Sequence, residues 1–224
     1  CREVAENIAA VTPMIARARA EGADLVCTPE NVAMMEPKRA LSLRKAAPEE
    51  SHAALAAFRE AAAKAGVWLL IGSLSIKLDG DRLANRSFLV NSTGDVVAFY
   101  DKIHMFDVDL EGGESYRESA TYRPGDRAVL AETPWGPLGM TVCYDLRFAQ
   151  LYRALAQAGA MFITIPAAFT RPTGRAHWHV LQRARAIETG CFVFAPAQCG
   201  EHAEGRKTYG HSLIVSPWGE VLAD

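Results

Sequence analysis

Apolar residues in this chain keep switching between two periods, and that switching limits the fold more than any other feature. Val4, Ile8, Val11, Ile15 and Ala18 recur at helical spacing, with Gly22 as a stop, the pattern of an amphipathic helix. Asp24 to Thr28 (DLVCT) is short, apolar and followed by Pro29, which predicts a buried strand ending where Glu30 begins. A second helix is predicted from about Pro48 through Leu55, Phe58, Ala62 and Ala65 to Gly66, because proline suits a first turn and glycine a stop. The runs 67–76, 86–91 and 96–100 are rich in branched and aromatic residues, with turn residues Asp79-Gly80 and Thr93-Gly94-Asp95 between them. They are predicted to be neighbouring strands of one sheet.

After Lys102 comes a polar stretch to about Arg127 containing Gly112, Gly113, Pro124 and Gly125, a long loop of the kind that often carries function. Strand patterns return at 138–142, 161–165, 191–197 and 209–216, and helical ones at 148–158 and 174–189. Helices alternating with strands predict an α/β domain, and the central run of strands predicts antiparallel additions to its sheet. The expected architecture is a layered α/β sandwich. No repeat or low-complexity linker divides the chain, so residues 1–224 are expected to form a single domain. The chain starts at Cys1 and stops at Asp224 just after a strand pattern, so it reads as a fragment truncated at both ends.

Half of the 224 residues are hydrophobic, enough for a sizeable core. The 24 basic and 26 acidic residues leave a formal charge of -2, which gives no general attraction to nucleic acid or to a membrane surface. A small molecule is the expected partner. No apolar run is long enough to span a bilayer, and the first twenty residues lack a signal-peptide core, so a cytoplasmic location is expected. The five cysteines Cys1, Cys27, Cys143, Cys191 and Cys199 are odd in number and form no CxxC pair, which points to reduced thiols.

Cys143 sits at the end of a strand pattern and directly before a helical one. Such an elbow exposes a side chain at the sheet edge, and the N–H groups of the following helix favour a thiolate and stabilise an oxyanion. A buried cysteine packing as a small apolar residue fits the same position, and the elbow alone leaves both readings open. His177, His179, His202 and His211 invite a metal reading, but residues two apart on a helix point to different faces. Zinc-ligand spacing and an HExxH arrangement are both missing, so neither metal nor cofactor is expected. A Cys143–histidine dyad with His104 or His177 as base is a further alternative.

Several blocks resemble the nitrilase, or carbon–nitrogen hydrolase, superfamily in its order: TPEN (28–31), YDKIHMFDVD (100–109), CYDLRF (143–148), HWHVLQRARAIETGCF (177–192) and YGHSLIVSPWGE (209–220). The resemblance covers nearly the whole chain and outweighs the dyad reading because it explains more residues. It implies an α-β-β-α sandwich with a mixed sheet, and an active site of Glu30, Lys102, Glu118 and Cys143. The loop around Glu118 also offers Glu111 and Glu114; block spacing favours Glu118. It further implies a homodimer or higher homo-oligomer, formed through the helices near the elbow.

Chemistry gives each residue type a task. Glu30, with its pKa raised by exclusion from bulk water, serves as the base that takes the thiol proton and later activates water. Lys102 and the Tyr144 N–H meet the charge developing on the carbonyl oxygen, and Glu118 holds Lys102 protonated. Arg147 either binds a substrate carboxylate bidentately or forms a structural ion pair with Asp145 or another acid. Tyr144 and Phe169 are pocket walls or core aromatics. The blocks, with PAQCG (196–200), look most like amidases of small carboxylate-bearing amides, of the deaminated glutathione amidase and omega-amidase branch. Hydrolysis of nitriles or N-carbamoyl amino acids, and a catalytically silent ligand binder, are the alternatives.

Overall fold

The structure, a computed structural model, describes residues 2–110, 113 and 115–224. Cys1, Glu111, Gly112 and Glu114 lie outside the described residues. The chain runs α1 (Val4–Ala20), β1 (Leu25–Cys27), α2 (Arg39–Lys45), α3 (Ala53–Ala65), β2 (Trp68–Lys77), β3 (Leu83–Val90) and β4 (Val96–Asp101). A small hairpin of β5 (Asp107–Asp109) and β6 (Ser115–Arg117) follows, then β7 (Val129–Ala131), β8 (Leu138–Met140), α4 (Ala149–Gln157), β9 (Phe162–Thr164) and α5 (Arg171–Thr189). The remaining strands are β10 (Phe192–Ala195), β11 (Cys199–Glu201), β12 (Lys207–Tyr209), β13 (Leu213–Val215) and β14 (Val221–Ala223).

One sheet has the order β1-β2-β3-β4 and the other β14-β13-β10-β9-β8-β7. β1 pairs parallel with β2, as β9 does with β8 and β10, while the remaining pairings within the two sheets are antiparallel. Both sheets are therefore mixed. The period of two along β2 and β3 divides their side chains between two cores. Leu70 and Leu89 join Met140, Ile163 and Val193 between the sheets. Leu69, Ile71, Phe88 and Val90 turn the other way, onto Ile15 of α1 and Leu55 and Phe58 of α3. With α4 and α5 packed on the second sheet, the layers are α-β-β-α, as expected.

The differences from expectation are local. The helix read from Pro48 starts at Ala53, capped by the His52 side chain, after a short 3-10 turn at Glu49–Ser51. The strand read at 209–216 is broken between β12 and β13, where Gly210 and His211 both adopt positive φ. Helix α2 and strand β7, which pair or pack at the margins, have patterns too short to register by periodicity. Cys143 does not directly precede a helix: a 3-10 turn, Cys143–Arg147, stands between it and α4.

One glycine decides where β1 delivers the chain. Thr28 continues the β1 ladder through its N–H to the Leu70 carbonyl at 2.9 Å, and its hydroxyl accepts from the Gly72 N–H at 2.9 Å. A Cβ on Gly72 would strike the Thr28 carbonyl and the Pro29 backbone. Only glycine lets the Thr28–Glu30 segment lie against β2.

Candidate active site

Four chain segments deliver one charged or nucleophilic group each to the same place. Glu30 follows β1, Lys102 follows β4, Glu118 opens the 3-10 turn after β6, and Cys143 follows β8 by way of Thr141 and Val142. All four line a cavity of about 430 Å³. The Lys102 Nζ donates to Glu30 Oε1 at 3.1 Å and to Glu118 Oε2 at 2.8 Å. The Cys143 thiol lies close enough to Glu30 and to Lys102 to feel both charges. Lys102 is 1% exposed and Glu30 3%, so neither is the surface charge its residue type suggests.

Backbone and amide donors fix the two carboxylates. Glu30 Oε2 accepts from the Ala168 N–H at 2.9 Å, and Glu118 Oε2 from the Phe106 N–H at 2.7 Å. Asn85 Nδ2 bridges them, donating to Glu30 Oε1 and Glu118 Oε1 at 3.0 Å each. Ionised carboxylates only accept, so this amide can face them only with its nitrogen. The Asn85 oxygen is left buried without a partner, a local cost accepted to orient both acids. Asn85 was not anticipated. It lies one residue before the strand pattern 86–91 and beside the polar Arg86 and Ser87, so no local signal marks it.

The elbow is braced from beneath by Asp145, which is fully buried. One of its oxygens accepts from the Val142 N–H at 2.9 Å and the Tyr100 hydroxyl at 2.8 Å. The other meets the His104 N–H at 3.0 Å and His104 Nδ1 at 2.7 Å. Cys143 itself adopts φ 51°, an uncommon region for a side-chain-bearing residue. Its N–H is held by the Pro166 carbonyl at 2.9 Å.

These contacts overturn three expectations. Arg147 does not pair with Asp145, whose oxygens are filled by His104, Tyr100 and Val142. It is not among the residues lining the cavity; its guanidinium lies 3.2 Å from His177 Nδ1 and 5.8 and 5.7 Å from the Tyr144 and Phe169 ring centroids. The Glu30 carboxyl is not raised: burial pushes it up, but Lys102, the Cys143 thiol and Arg206 together hold it below its ordinary value. Nor is a resting thiolate favoured. Burial and then the Glu30 carboxylate push the Cys143 thiol well up, against the pull of Lys102. The charges explain this, since one cation already faces two anions and a thiolate would add a third.

Tyr144 and Phe169 both line the cavity, each also supported by aromatic neighbours: Phe106 and Phe148 for Tyr144, Trp178 for Phe169. The histidines named as alternative bases point elsewhere. His104 is stacked on Phe148 at 3.6 Å and bonded to Asp145, and His177 is exposed beside Arg147. His202 lines the cavity, bonded to Thr208. Among the described residues, His179, His211 and Asp224 form the one group close enough to share a metal ion. Asp224 bonds His179 Nε2 at 3.1 Å and His211 Nδ1 at 2.8 Å. None of these three residues lines the cavity.

Protonation states set a pH dependence. Glu30, held low, is ionised and Cys143, held high, is a thiol throughout the neutral range, so the acid limb should lie below the ordinary carboxyl value of 4.5 and the alkaline limb above the ordinary thiol value of 9.0. Alkylation of Cys143 by iodoacetamide is expected to show no inflection between about pH 6 and 9. Measuring its rate against a Cys143→Ala background checks this; an inflection near neutrality would mean a resting thiolate.

A thiol, a buried carboxylate and a buried cation at the edge of an α-β-β-α sandwich define a cysteine hydrolase site. The sequence model of the carbon-nitrogen hydrolase family matches residues 1–224, and the chain belongs to that family. It is 44% identical to the deaminated glutathione amidase of Yersinia enterocolitica, over 97% of this chain and 76% of that one. Among solved structures, the C. elegans NitFhit protein superposes with a TM-score of 0.88 at 34% identity, covering 99% of this chain and 56% of that one. An amidase from Nesterenkonia sp. AN1 superposes with a TM-score of 0.86 at 26% identity, over 99% of this chain and 84% of that one. In that structure a glutamate-to-glutamine mutant carries the product of Michael addition of acrylamide at the active site cysteine.

Proposed function

We propose that the protein hydrolyses the amide of a small carboxylate-bearing amide through a Cys143 thioester, releasing ammonia. The observation that carries this reading is the convergence of Glu30, Lys102 and Glu118 with Cys143 in one cavity. The Cys143 sulfur attacks the amide carbonyl carbon while its proton passes to Glu30. Lys102, kept protonated by the two carboxylates that raise its pKa against the effect of burial, stabilises the oxyanion together with the Tyr144 N–H. Glu30 returns the proton to the departing nitrogen, the C–N bond breaks, and ammonia leaves a thioester. Water, deprotonated by Glu30, then attacks the thioester carbonyl, giving the carboxylic acid and the free thiol.

Deaminated glutathione amidase relatives support this substrate class over nitriles and N-carbamoyl amino acids. Ammonia release from a panel of deaminated glutathione, 2-oxo-acid amides of the omega-amidase type, a nitrile and an N-carbamoyl amino acid tests it. Turnover of an amide is expected; turnover confined to the nitrile or the carbamoyl compound would refute the reading.

A single domain working as a cytoplasmic homodimer completes the proposal. Cys27, Cys143, Cys191 and Cys199 are all free, which suits a reducing compartment, and no helix of the described residues is long and apolar enough to cross a membrane. Val180, Ile187 and Trp218 leave 68%, 56% and 90% of their surface exposed on α5 and the β13–β14 turn, an apolar face that a second copy would cover. Light scattering is expected to give the mass of two chains.

A further inference from the structure

Four cations line the cavity: Arg39, Lys102, Arg117 and Arg206. Three are already engaged. Lys102 is shared by Glu30 and Glu118. Arg117 is exposed and grips Asp109 with two hydrogen bonds of 2.8 and 2.9 Å. Arg39 is exposed, with its Nε and Nη2 donating to the Ala120 and Asp81 carbonyls.

Arg206 is less engaged. Like Arg39 it has no carboxylate partner among the described residues, but it makes one hydrogen bond where Arg39 makes two, and its Nε is shut away from solvent with no acceptor. Only Nη2 is used, donating to the Ala168 carbonyl at 3.1 Å. The N–H of that same residue holds Glu30, so the guanidinium stands one residue from the catalytic carboxylate, whose pKa its charge lowers. Its carbon lies 5.5 Å from the centroid of the Tyr116 ring, which also lines the cavity.

The backbone holds this side chain in place. Arg206 follows the 3-10 turn Ala203–Gly205, in which Glu204 and Gly205 both adopt positive φ. Its carbonyl accepts from the His202 N–H at 2.7 Å. A guanidinium fixed at Nη2, lining the cavity and without a carboxylate partner among the described residues, is suited to an oxyanion ligand.

We propose that Arg206 selects the substrate by binding the carboxylate at the end remote from the scissile amide. The assignment rests on the amidase reading of Cys143. It differs from the expectation placed on Arg147, which stands outside the cavity lining. If Arg206 served only to cap the Ala168 carbonyl, its loss would affect charged and neutral amides alike.

Glutaramate and pentanamide, amides of equal chain length with and without a terminal carboxylate, separate the two roles. In Arg206→Gln the ratio of kcat/KM for glutaramate over pentanamide is expected to fall about tenfold to a hundredfold, carried by KM, the effect of losing one charge-assisted pair. Arg206→Lys, which keeps the charge and loses the fork, should recover part of it. A ratio equal to that of the unmodified protein, with the melting temperature unchanged, overturns the proposal. So does an equal loss on both amides. If the unmodified protein turns over neither amide, calorimetric binding of glutarate decides the role of Arg206, and the amidase reading is decided by the substrate panel. Binding at least tenfold weaker in Arg206→Gln supports it, and equal affinity overturns it.

Discussion

Replacing Cys143 by alanine is expected to reduce ammonia release by a factor on the order of 10⁵ or more while leaving the fold intact. The magnitude follows from the chemistry, since among the described residues Cys143 is the one thiol lining the cavity, and loss of a nucleophile in a comparable acyl-transfer site costs about that much. The fold should survive for a local reason. The Cys143 sulfur is one small group at a cavity wall, whereas the elbow is held by the Cys143 N–H to Pro166 and by the Asp145 brace, neither of which uses the thiol. Removing it also strands no charge, because Glu30 keeps its bonds to Asn85, Lys102 and the Ala168 N–H. Steady-state ammonia release and a thermal melt measured side by side check both halves. Turnover within tenfold of the unmodified protein would remove Cys143 from the mechanism.

Glu30→Gln is expected to separate reactivity from turnover. Glutamine keeps the shape of the side chain but cannot take the thiol proton or activate water, so ammonia release should fall roughly 10³-fold, within the range for a general base. Cys143 should still be labelled by acrylamide, because addition to an activated alkene needs the sulfur and not a departing nitrogen. The corresponding behaviour exists in the Nesterenkonia amidase, where a glutamate-to-glutamine mutant bears acrylamide on its cysteine. The substitution also has a structural cost. Asn85 Nδ2, the Ala168 N–H and Lys102 all donate to Glu30, so a glutamine NH₂ must face a donor on one side, and Lys102 keeps only Glu118 as a counter-charge. A lower melting temperature is therefore expected beside the lost activity. Mass spectrometry of the acrylamide-treated variant is the decisive reading: an unlabelled Cys143 would mean that Glu30 is needed to make the thiol reactive at all.

Lys102 shows why the lost charge matters. Taking an ammonium and two carboxylates out of water costs several kcal/mol for each ion, and only the close pairing and added backbone donors offset it. The arrangement stores stability in the same contacts that ready the site. Burial alone would lower the Lys102 pKa, yet Glu118 first, then Glu30 and Cys143, drive it well up. The Lys102 ammonium is therefore held in its charged form.

Much of the fold could be read from residue pattern. The helices α1, α3, α4 and α5 and the strands β2, β3 and β4 carry long, clear periods with glycine or proline at their ends, and they lie within a few residues of where those signals place them. What escaped were three-residue strands such as β5, β6 and β7, the short helix α2, and the 3-10 turn at Cys143. A strand of three residues carries too little alternation to distinguish it from a loop. A 3-10 turn is set by how the chain must leave the sheet, which neighbouring residues do not encode.

The nucleophile with which the elbow began as an even choice illustrates the division. The sequence alone determined which residue types stand where: a cysteine after a strand, glutamates at 30 and 118, a lysine at 102, each in a block of recognisable order. Those are local facts, written in consecutive residues. Only the tertiary structure decided their charge states and partners, because protonation depends on what is desolvated beside what. Folding set Lys102 against Glu30, which holds that carboxyl low, and buried Cys143 beside the Glu30 carboxylate, which pushes the thiol up, so both expected pKa directions are reversed. It gave Asp145 to His104 and Tyr100 instead of Arg147, and brought Asn85 against the two acids and Arg206 to the cavity wall from distant parts of the chain. Contacts across such separations follow from the packing of two sheets, and no window of neighbouring residues contains them.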